Sequence, residues 1–215
     1  MLQRITFEDR TSWLSGRSGG IGASEAAAVV GASPWQTPLE LWKLKLGIIA
    51  PKDLSGNAAV EQGNRLEPAI RGMFAAMHPE LLVVYHQFDV LFQNDRPWLR
   101  ATLDGELYRE NGEAGILEIK TSTPGGKAGW SEWADGRIPR HYYVQVCHQL
   151  LATGFDFAYL FAALFSQSTG DVTLREYELS RKDAEDDMAW LVGQEHRFWE
   201  FNVVGRNMPS MPLRL

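Results

Sequence analysis

Residues 115–123, GILEIKTST, decide how the rest of the chain is interpreted. Leu117 and Ile119 alternate with Glu118 and Lys120, and side chains along a strand alternate between its two faces. The stretch therefore predicts a β-strand with one apolar face and one face that carries an acid beside a base. By itself the charged face is more typical of an exposed ion pair than of a site, because exposed pairs are frequent and contribute little.

The segments around this strand predict an α/β fold. An Ala-rich helix with Ser24 as its N-cap, a second helix capped by Thr37, and a long helix through residues 57–77 come first. Short β-branched or aromatic segments follow, then a helix that ends at Gly154, two further strands and a last helix. This order predicts one domain over residues 1–215, with a mixed central β-sheet flanked by helices.

Composition narrows the classes of function. The 215 residues include 21 basic and 27 acidic side chains, a net charge of −6, which argues against coating nucleic acid through bulk positive charge. A local site that uses metal ions remains compatible with this charge. Cys147 is the only cysteine, which excludes a disulfide within the chain and a Cys-rich zinc or iron–sulfur site. The sequence has neither a signal-peptide pattern nor a membrane-length apolar run, so a cytoplasmic protein is expected.

A second acid, Asp104, precedes Gly105 where the preceding strand is expected to turn. If these two strands are neighbours, Asp104 faces Glu118. Two carboxylates this close repel each other unless a proton or a cation lies between them, and their oxygens suit Mg²⁺ or Mn²⁺. Lys120, projecting to the same side, can hold a water or stabilise developing negative charge. The set is suited to hydrolysing a phosphodiester.

Two helices carry further candidates. Glu67 lies among apolar residues at helical spacing and would add a third carboxylate, although a pair with Arg71 on a solvated face is the ordinary interpretation. Gln145 lies in a largely apolar helix and would need a partner if it is buried. Gln149, one turn further, is the alternative for this buried amide, and both are compatible with simple core-edge positions.

The glycine-rich stretch SGRSGGIGASE, residues 15–25, can approach a ligand closely. Backbone N–H groups at a helix start bind anions, and Arg17 can add a guanidinium group. The stretch matches neither GxGxxG nor a P-loop. A glycine-rich turn without a ligand is the commoner finding for such a sequence.

Five motifs in this order resemble the lambda-exonuclease-like, YqaJ-type viral recombinase family of the PD-(D/E)xK nuclease superfamily. They are GGIGASEAAAVVGASPWQTPLELWKLKLG, QGNRLEPAI, ATLDGEL, GILEIKTS and YYVQVCHQLLATG. The resemblance covers about residues 17–154 and implies a restriction-endonuclease-like core. Leu103 stands before Asp104 where the superfamily pattern has proline, which is a common variation.

The resemblance assigns roles in a nuclease site to six residues: Glu67, Asp104, Glu118, Ile119, Lys120 and Gln145. Asp104, Glu118 and the carbonyl of Ile119 would bind two Mg²⁺ ions, for which Mn²⁺ can substitute. Lys120 and Gln145 would stand beside the attacking water, and the helix acid would complete the site.

The resemblance also implies DNA contacts. Arg17 and Ser24 would bind a 5′-phosphate, while Trp35 and Val60 would contact DNA or be packed. Such enzymes degrade one strand of linear duplex DNA from its 5′ end and leave a 3′ overhang for a single-strand annealing protein in phage or prophage recombination. A ring-shaped homotrimer is implied as well. The alternatives are an endonuclease for branched DNA from the same superfamily and a non-catalytic module that binds DNA ends.

Overall fold

A computed structural model describes residues 1–210, so residues 211–215 of the predicted domain lie outside the described part. The strands are β1 (Leu2–Thr6), β2 (Ile21–Gly22), β3 (Leu82–Val84), β4 (Asp89–Gln93), β5 (Arg96–Ala101), β6 (Gly105–Tyr108), β7 (Ala114–Ser122), β8 (Phe157–Phe165) and β9 (Val172–Ser180). The helices are α1 (Arg10–Ser18), α2 (Ala23–Val29), α3 (Pro38–Lys45), α4 (Ala58–Met77), α5 (Gly126–Ser131), α6 (Arg140–Thr153) and α7 (Glu185–Arg197), with a π-helical segment at Phe198–Val204.

The strands form two mixed sheets. The larger has the order β3-β6-β7-β8-β9, in which only β7 and β8 run parallel. The smaller has the order β1-β4-β5-β2, with β2 parallel to β5. The predicted α/β class with a mixed sheet flanked by helices is confirmed, whereas the division of the strands into two sheets was not predicted.

The two faces of the larger sheet pack against different helices. Leu117 and Ile119 of β7 lie on the face covered by Ile70 and Phe74 of α4. Ile116 of β7 packs in the other apolar cluster, which contains the buried side of α6. The apolar face predicted for residues 115–123 is therefore confirmed, and the opposite face is covered as well. Strand β7 thus lies between α4 on one face of the sheet and α6 on the other.

One arginine joins the two sheets. Arg4 of β1 donates a hydrogen bond to Asp89 of β4 and, through Nη2 at 2.8 Å, to Oε2 of Glu106 in β6. Both carboxylates are buried, at 5% and 3% exposure, and the hydroxyl of Tyr108 donates a further bond of 2.6 Å to Glu106. Buried carboxylates need such partners, so this cluster fixes one sheet against the other.

The N-cap predicted for α3 is confirmed, whereas the N-cap predicted for α2 is not. Thr37 caps α3 and forms a capping box with Glu40, as the pattern predicts. The cap of α2 is Gly22, whose backbone is extended and whose N–H donates a hydrogen bond of 2.8 Å to Oε2 of Glu25. The prediction of Ser24 as the cap is therefore wrong, and Ser24 lies exposed in the first turn of the helix.

Candidate active site

Asp104 and Glu118 come together through the pairing of β6 with β7. Gly105 lies opposite Leu117 in this antiparallel pair, so the residue before Gly105 meets the residue after Leu117. Oδ2 of Asp104 accepts a hydrogen bond of 2.8 Å from the backbone N–H of Ile119, which holds the side chain against β7. The predicted neighbour relationship of the two strands is confirmed.

Glu118 is buried, with 3% exposure, and donors contact both of its oxygens. Oε1 accepts from Nε2 of Gln145 at 2.6 Å and lies 2.5 Å from Nζ of Lys120. Oε2 accepts from Nε2 of Gln149 at 2.5 Å. The simple interpretation of residues 115–123 as an exposed ion pair is therefore wrong, because the charged face of β7 packs under α6.

Gln145 and Gln149 reach the same carboxylate because they lie one turn apart on α6. Residues at i and i+4 of a helix lie on one face. The sequence left open which of the two amides is buried, and the structure brings both to Glu118. Gln149 is fully buried. The sequence offered Gln149 only as the alternative buried amide, from the signal of a polar side chain within an apolar helix, and assigned it no role in the site.

Lys120 is held as a cation within the site. Its Nζ donates to Oε1 of Gln145 at 3.1 Å and lies 4.9 Å from the centroid of the Tyr142 ring. Burial by itself lowers the pKa of Lys120, but the charges of Glu118 and Asp104 outweigh burial, so that its pKa is raised above the usual value. At neutral pH the side chain is therefore protonated.

The pKa values of the acids Asp104 and Glu67 are raised as well, but here burial acts in the raising direction. Burial, followed by the charges of Glu118 and Glu67, raises the pKa of Asp104 well above its usual value. Burial also raises the pKa of Glu67, against the opposing charge of Arg71. Nη2 of Arg71 lies 2.5 Å from Oε1 of Glu67, and its Nε donates to the carbonyl of Asp104 at 2.5 Å. Glu67 thus makes the i+4 pair of the ordinary interpretation and also belongs to the acidic site.

These groups line one cavity of about 370 Å³. Glu67, Asp104, Glu118, Lys120 and Gln145 all border it. Three predicted residues complete its wall: Ile119, Arg17 and Val60. The structure therefore brings together eight of the ten residues that the sequence prediction assigned to the site.

Arg17 borders this cavity and a second cleft of about 580 Å³. Its guanidinium carbon lies 4.6 Å from the centroid of the Trp13 ring. Burial lowers the pKa of Arg17, with the charges of Glu25 and nearby carboxylates opposing this effect. Ser24 lies outside the acidic cavity, in the second cleft, where Lys45 forms an ion pair of 2.6 Å with Glu25.

Trp35 also lies outside the acidic cavity. It is 72% exposed, and its ring centroid is 4.8 Å from that of His141 at the start of α6. The same tryptophan lies 6.4 Å from the Tyr142 ring, which in turn contacts Lys120. Burial, followed by the charge of Lys120, lowers the pKa of His141 to about 4, so this imidazole is neutral at physiological pH. Trp35 is therefore not packed in the core, and its contact with DNA stays a prediction.

The side chains present suit a hard divalent cation. Asp104 and Glu118 crowd negative charge into one buried site, and a cation would relieve that charge. Within residues 1–210, no group of three or more His, Cys, Asp or Glu side chains is arranged to hold a metal ion. A cation here would therefore depend on two carboxylates and the carbonyl of Ile119, together with water or phosphate oxygens. Mg²⁺ typically binds proteins through this small number of ligands.

The fold and the site define the class of this protein. The mixed sheet has helices on both faces, an acid before β6, and an acid and a lysine on β7. This is the architecture of the restriction-endonuclease-like fold. The chain belongs to the family of the YqaJ-like viral recombinase domain, which matches residues 12–156. Within residues 1–210 no helix is both long enough and apolar enough to cross a membrane.

Relatives support this assignment. The chain is 31% identical over 211 residues to the uncharacterized protein YqaJ of Bacillus subtilis (strain 168). The match covers 98% of this chain but 62% of the length of that curated relative.

Solved structures share the fold at low sequence identity. The alkaline exonuclease LHK-Exo from Laribacter hongkongensis has a TM-score of 0.58 at 17% identity, over 92% of this chain and 98% of that one. A structure of LHK-Exo in complex with dAMP has a TM-score of 0.59 at 19% identity, with the same coverage. A phage-related exonuclease from Haemophilus somnus 129PT has a TM-score of 0.55 at 13% identity, over 87% and 96% of the two chains.

Proposed function

We propose that the protein is a Mg²⁺-dependent 5′→3′ exonuclease that degrades one strand of linear duplex DNA and leaves a 3′ overhang. The observation that carries the proposal is the meeting of Asp104, Glu118 and Lys120 in one cavity. Acids and a lysine in this arrangement suit phosphodiester hydrolysis. Two of the structurally similar proteins are described as exonucleases, and one was solved with dAMP, a deoxynucleoside monophosphate.

Asp104, Glu118 and the carbonyl of Ile119 would hold two Mg²⁺ ions, for which Mn²⁺ can substitute. When bound, the ions would polarise the scissile phosphate and lower the pKa of water. Asp104 must be ionised for this role. Burial and the charges of Glu118 and Glu67 raise its pKa, while the positive charge of Lys120 opposes this rise, and a bound cation would oppose it further.

Lys120 and Gln145 would act on the water and on the charge that develops during hydrolysis. Because its pKa is raised, Lys120 carries a proton and acts as a fixed cation rather than as a general base. Gln145 donates to Glu118 and accepts from Lys120, so its amide orientation is set by both partners. Gln145 would help to position the attacking water. Glu67 would complete the acidic wall.

Arg17 and Ser24 would recognise the 5′-phosphate of the DNA end. Arg17 lies between the acidic cavity and the cleft that contains Ser24, so a terminal phosphate bound there would be adjacent to the site of hydrolysis. A guanidinium group binds phosphate through paired N–H donors. Val60 on the cavity wall and the exposed Trp35 would contact the DNA.

The wider setting is also part of the proposal. The family resemblance supports a cytoplasmic enzyme of phage or prophage recombination, a homotrimeric ring around DNA and transfer of the overhang to a single-strand annealing protein. Sedimentation of the purified protein tests the trimer directly. A monomer at every concentration would contradict the ring.

Digestion of end-labelled linear duplex tests the activity. We expect Mg²⁺-dependent release of nucleotides from 5′-phosphorylated ends, slower release from 5′-hydroxyl ends, and no product with a chelator. Glu118→Gln should remove activity, whereas Glu110→Gln, at an exposed position, serves as the matched control and should retain it. Failure of the wild-type protein to degrade linear duplex with Mg²⁺ or Mn²⁺ would refute the proposal.

The two alternatives give different products. A branched-DNA endonuclease would cut a branched or circular substrate that has no free end, whereas the exonuclease leaves circular duplex intact. A non-catalytic module would bind duplex ends equally well in the presence of a chelator and would release no nucleotide when Mg²⁺ is added. The intact set of two acids and a lysine favours catalysis.

A further inference from the structure

Gln149 makes a contact with the acidic site that differs from that of Gln145. Its Nε2 donates a bond of 2.5 Å to Oε2 of Glu118, the oxygen that neither Lys120 nor Gln145 contacts. The same Nε2 faces the carbonyl of Thr102 at 3.4 Å. Thr102 lies two residues before Asp104. One amide nitrogen therefore spans the strand that carries Glu118 and the connection that carries Asp104.

The orientation of the Gln149 amide follows from its surroundings. A carboxylate only accepts hydrogen bonds, so the NH₂ group must face Oε2 of Glu118. Its Oε1 is buried and has no hydrogen-bond partner among the described residues. A buried polar atom without a partner costs free energy, about 1–3 kcal/mol. If Gln149 only filled space, an apolar side chain would avoid this free-energy cost. The cost therefore indicates that the hydrogen bond from Gln149 to Glu118 has a function.

We infer that Gln149 is a positioning residue that fixes the carboxylate plane of Glu118 for cation binding. Gln145 holds one oxygen and Gln149 holds the other, so Glu118 cannot rotate without losing a hydrogen bond. Partners of this kind orient metal-binding side chains, and their loss typically costs 10–100-fold in metal affinity or activity. The inference rests on the proposed nuclease function.

The substitution Gln149→Met tests the inference because it keeps the length and volume of the side chain while removing its donor. Thr153→Val is the matched control. Thr153 is also buried on α6, but its hydroxyl contacts only backbone groups: it donates to the carbonyls of Gln149 and Leu150 and accepts from the N–H of Phe155. Both variants exchange one buried polar group for an isosteric apolar one, and only the first alters a contact to Glu118.

Mn²⁺ binding is measured first by titration calorimetry of the intact protein without DNA. We expect the dissociation constant of Gln149→Met to rise about 10–100-fold, while that of Thr153→Val stays within about twofold of wild type. In a digestion assay, a correspondingly higher Mn²⁺ concentration should restore kcat of Gln149→Met, with an unchanged KM for DNA. Gln149→Asn, which is too short to reach Glu118, should behave alike and serves as the second variant if the first does not fold.

Three outcomes separate the possibilities. An active wild-type enzyme whose Mn²⁺ affinity is the same in Gln149→Met and Thr153→Val would overturn the inference and leave the proposed function standing. A loss in Gln149→Met that no Mn²⁺ concentration restores would also overturn it, because it would indicate a role other than positioning. A wild-type protein that binds Mn²⁺ but releases no nucleotide would refute the proposed function alone.

Discussion

The pair formed by His148 and Glu195 connects α6 to α7 in the interior of the protein. Both side chains are fully buried, and Nδ1 of His148 lies 2.6 Å from Oε1 of Glu195. The other ring nitrogen lies 3.1 Å from the carbonyl of Arg100. Because both nitrogens face acceptors, both carry protons and the ring is an imidazolium. Burial by itself lowers the pKa of His148, but the charge of Glu195 and its hydrogen bond outweigh burial and raise it.

Glu195→Gln should therefore destabilise the protein strongly at pH 6. Removing one member of a buried ion pair costs about 3–5 kcal/mol. In a protein of this size, each kcal/mol lowers Tm by about 2–4 °C, so the expected loss is roughly 6–20 °C. Since the folded-state pKa of His148 is raised, its contribution is fully present below the unfolded pKa of about 6.5 and is lost as pH rises through the folded value. The penalty of Glu195→Gln should accordingly shrink towards pH 9.

Urea unfolding at pH 6 and pH 9 measures both effects. The double variant His148→Leu/Glu195→Met replaces the pair with apolar side chains and should recover most of the stability, as in other buried pairs. Equal unfolding midpoints for wild type and Glu195→Gln at pH 6 would refute the buried imidazolium. A penalty that increases towards pH 9 would refute it as well.

Three further changes test the site and its support. Lys120→Met should lower kcat for duplex digestion by about 10²–10³, because one fixed cation is lost from the site; a decrease below twofold in a gel assay would exclude the role given to Lys120. Arg17→Ala should remove the preference for 5′-phosphate over 5′-hydroxyl ends in a competition between labelled duplexes, and an unchanged preference would place the phosphate elsewhere. Arg4→Met should reduce the free energy of unfolding, measured in urea, by about 1–3 kcal/mol, because Asp89 and Glu106 stay buried without their cation. The loss is limited because the arginine is partly exposed. No change would show that the two sheets do not depend on this contact.

The meeting of Asp104 with Glu118 could be predicted because it depends on local features. Strand alternation assigns Glu118 to one face, and Gly105 marks the turn that brings Asp104 to the adjacent strand. The start of α3 was predictable for the same reason, since Thr37 and Glu40 satisfy each other's backbone within one turn. Contacts between residues close in sequence leave a recognisable pattern.

Strand β1 and the N-cap of α2 could not be predicted from local sequence patterns. Leu2–Thr6 is mostly polar and half-exposed, and it becomes a strand by pairing with Asp89–Gln93, more than eighty residues away. Ser24 is a better intrinsic cap than Gly22, yet the strand pairing of Ile21–Gly22 with β5 places the start of the helix two residues earlier than a cap at Ser24 would. Tertiary pairing outweighed local preference in both cases.

The contact of Gln149 with Glu118 could not be predicted from the sequence. An amide in an apolar helix indicates that a partner is needed, but the packing of α6 over β7 determines which partner. The sequence therefore presents Gln145 and Gln149 as alternatives, whereas the folded protein uses both for one carboxylate.

Pro68 follows Glu67 inside α4 and removes one backbone hydrogen bond from the helix. Because proline has no N–H, the carbonyl of Asn64 cannot receive the usual hydrogen bond from the residue four positions later. Asn64 borders the acidic cavity. A residue of this wall therefore has a backbone carbonyl without its usual helical donor, and no side-chain substitution at position 64 supplies that donor. Replacing Pro68 would restore the missing donor to the helix without altering any side chain that lines the cavity.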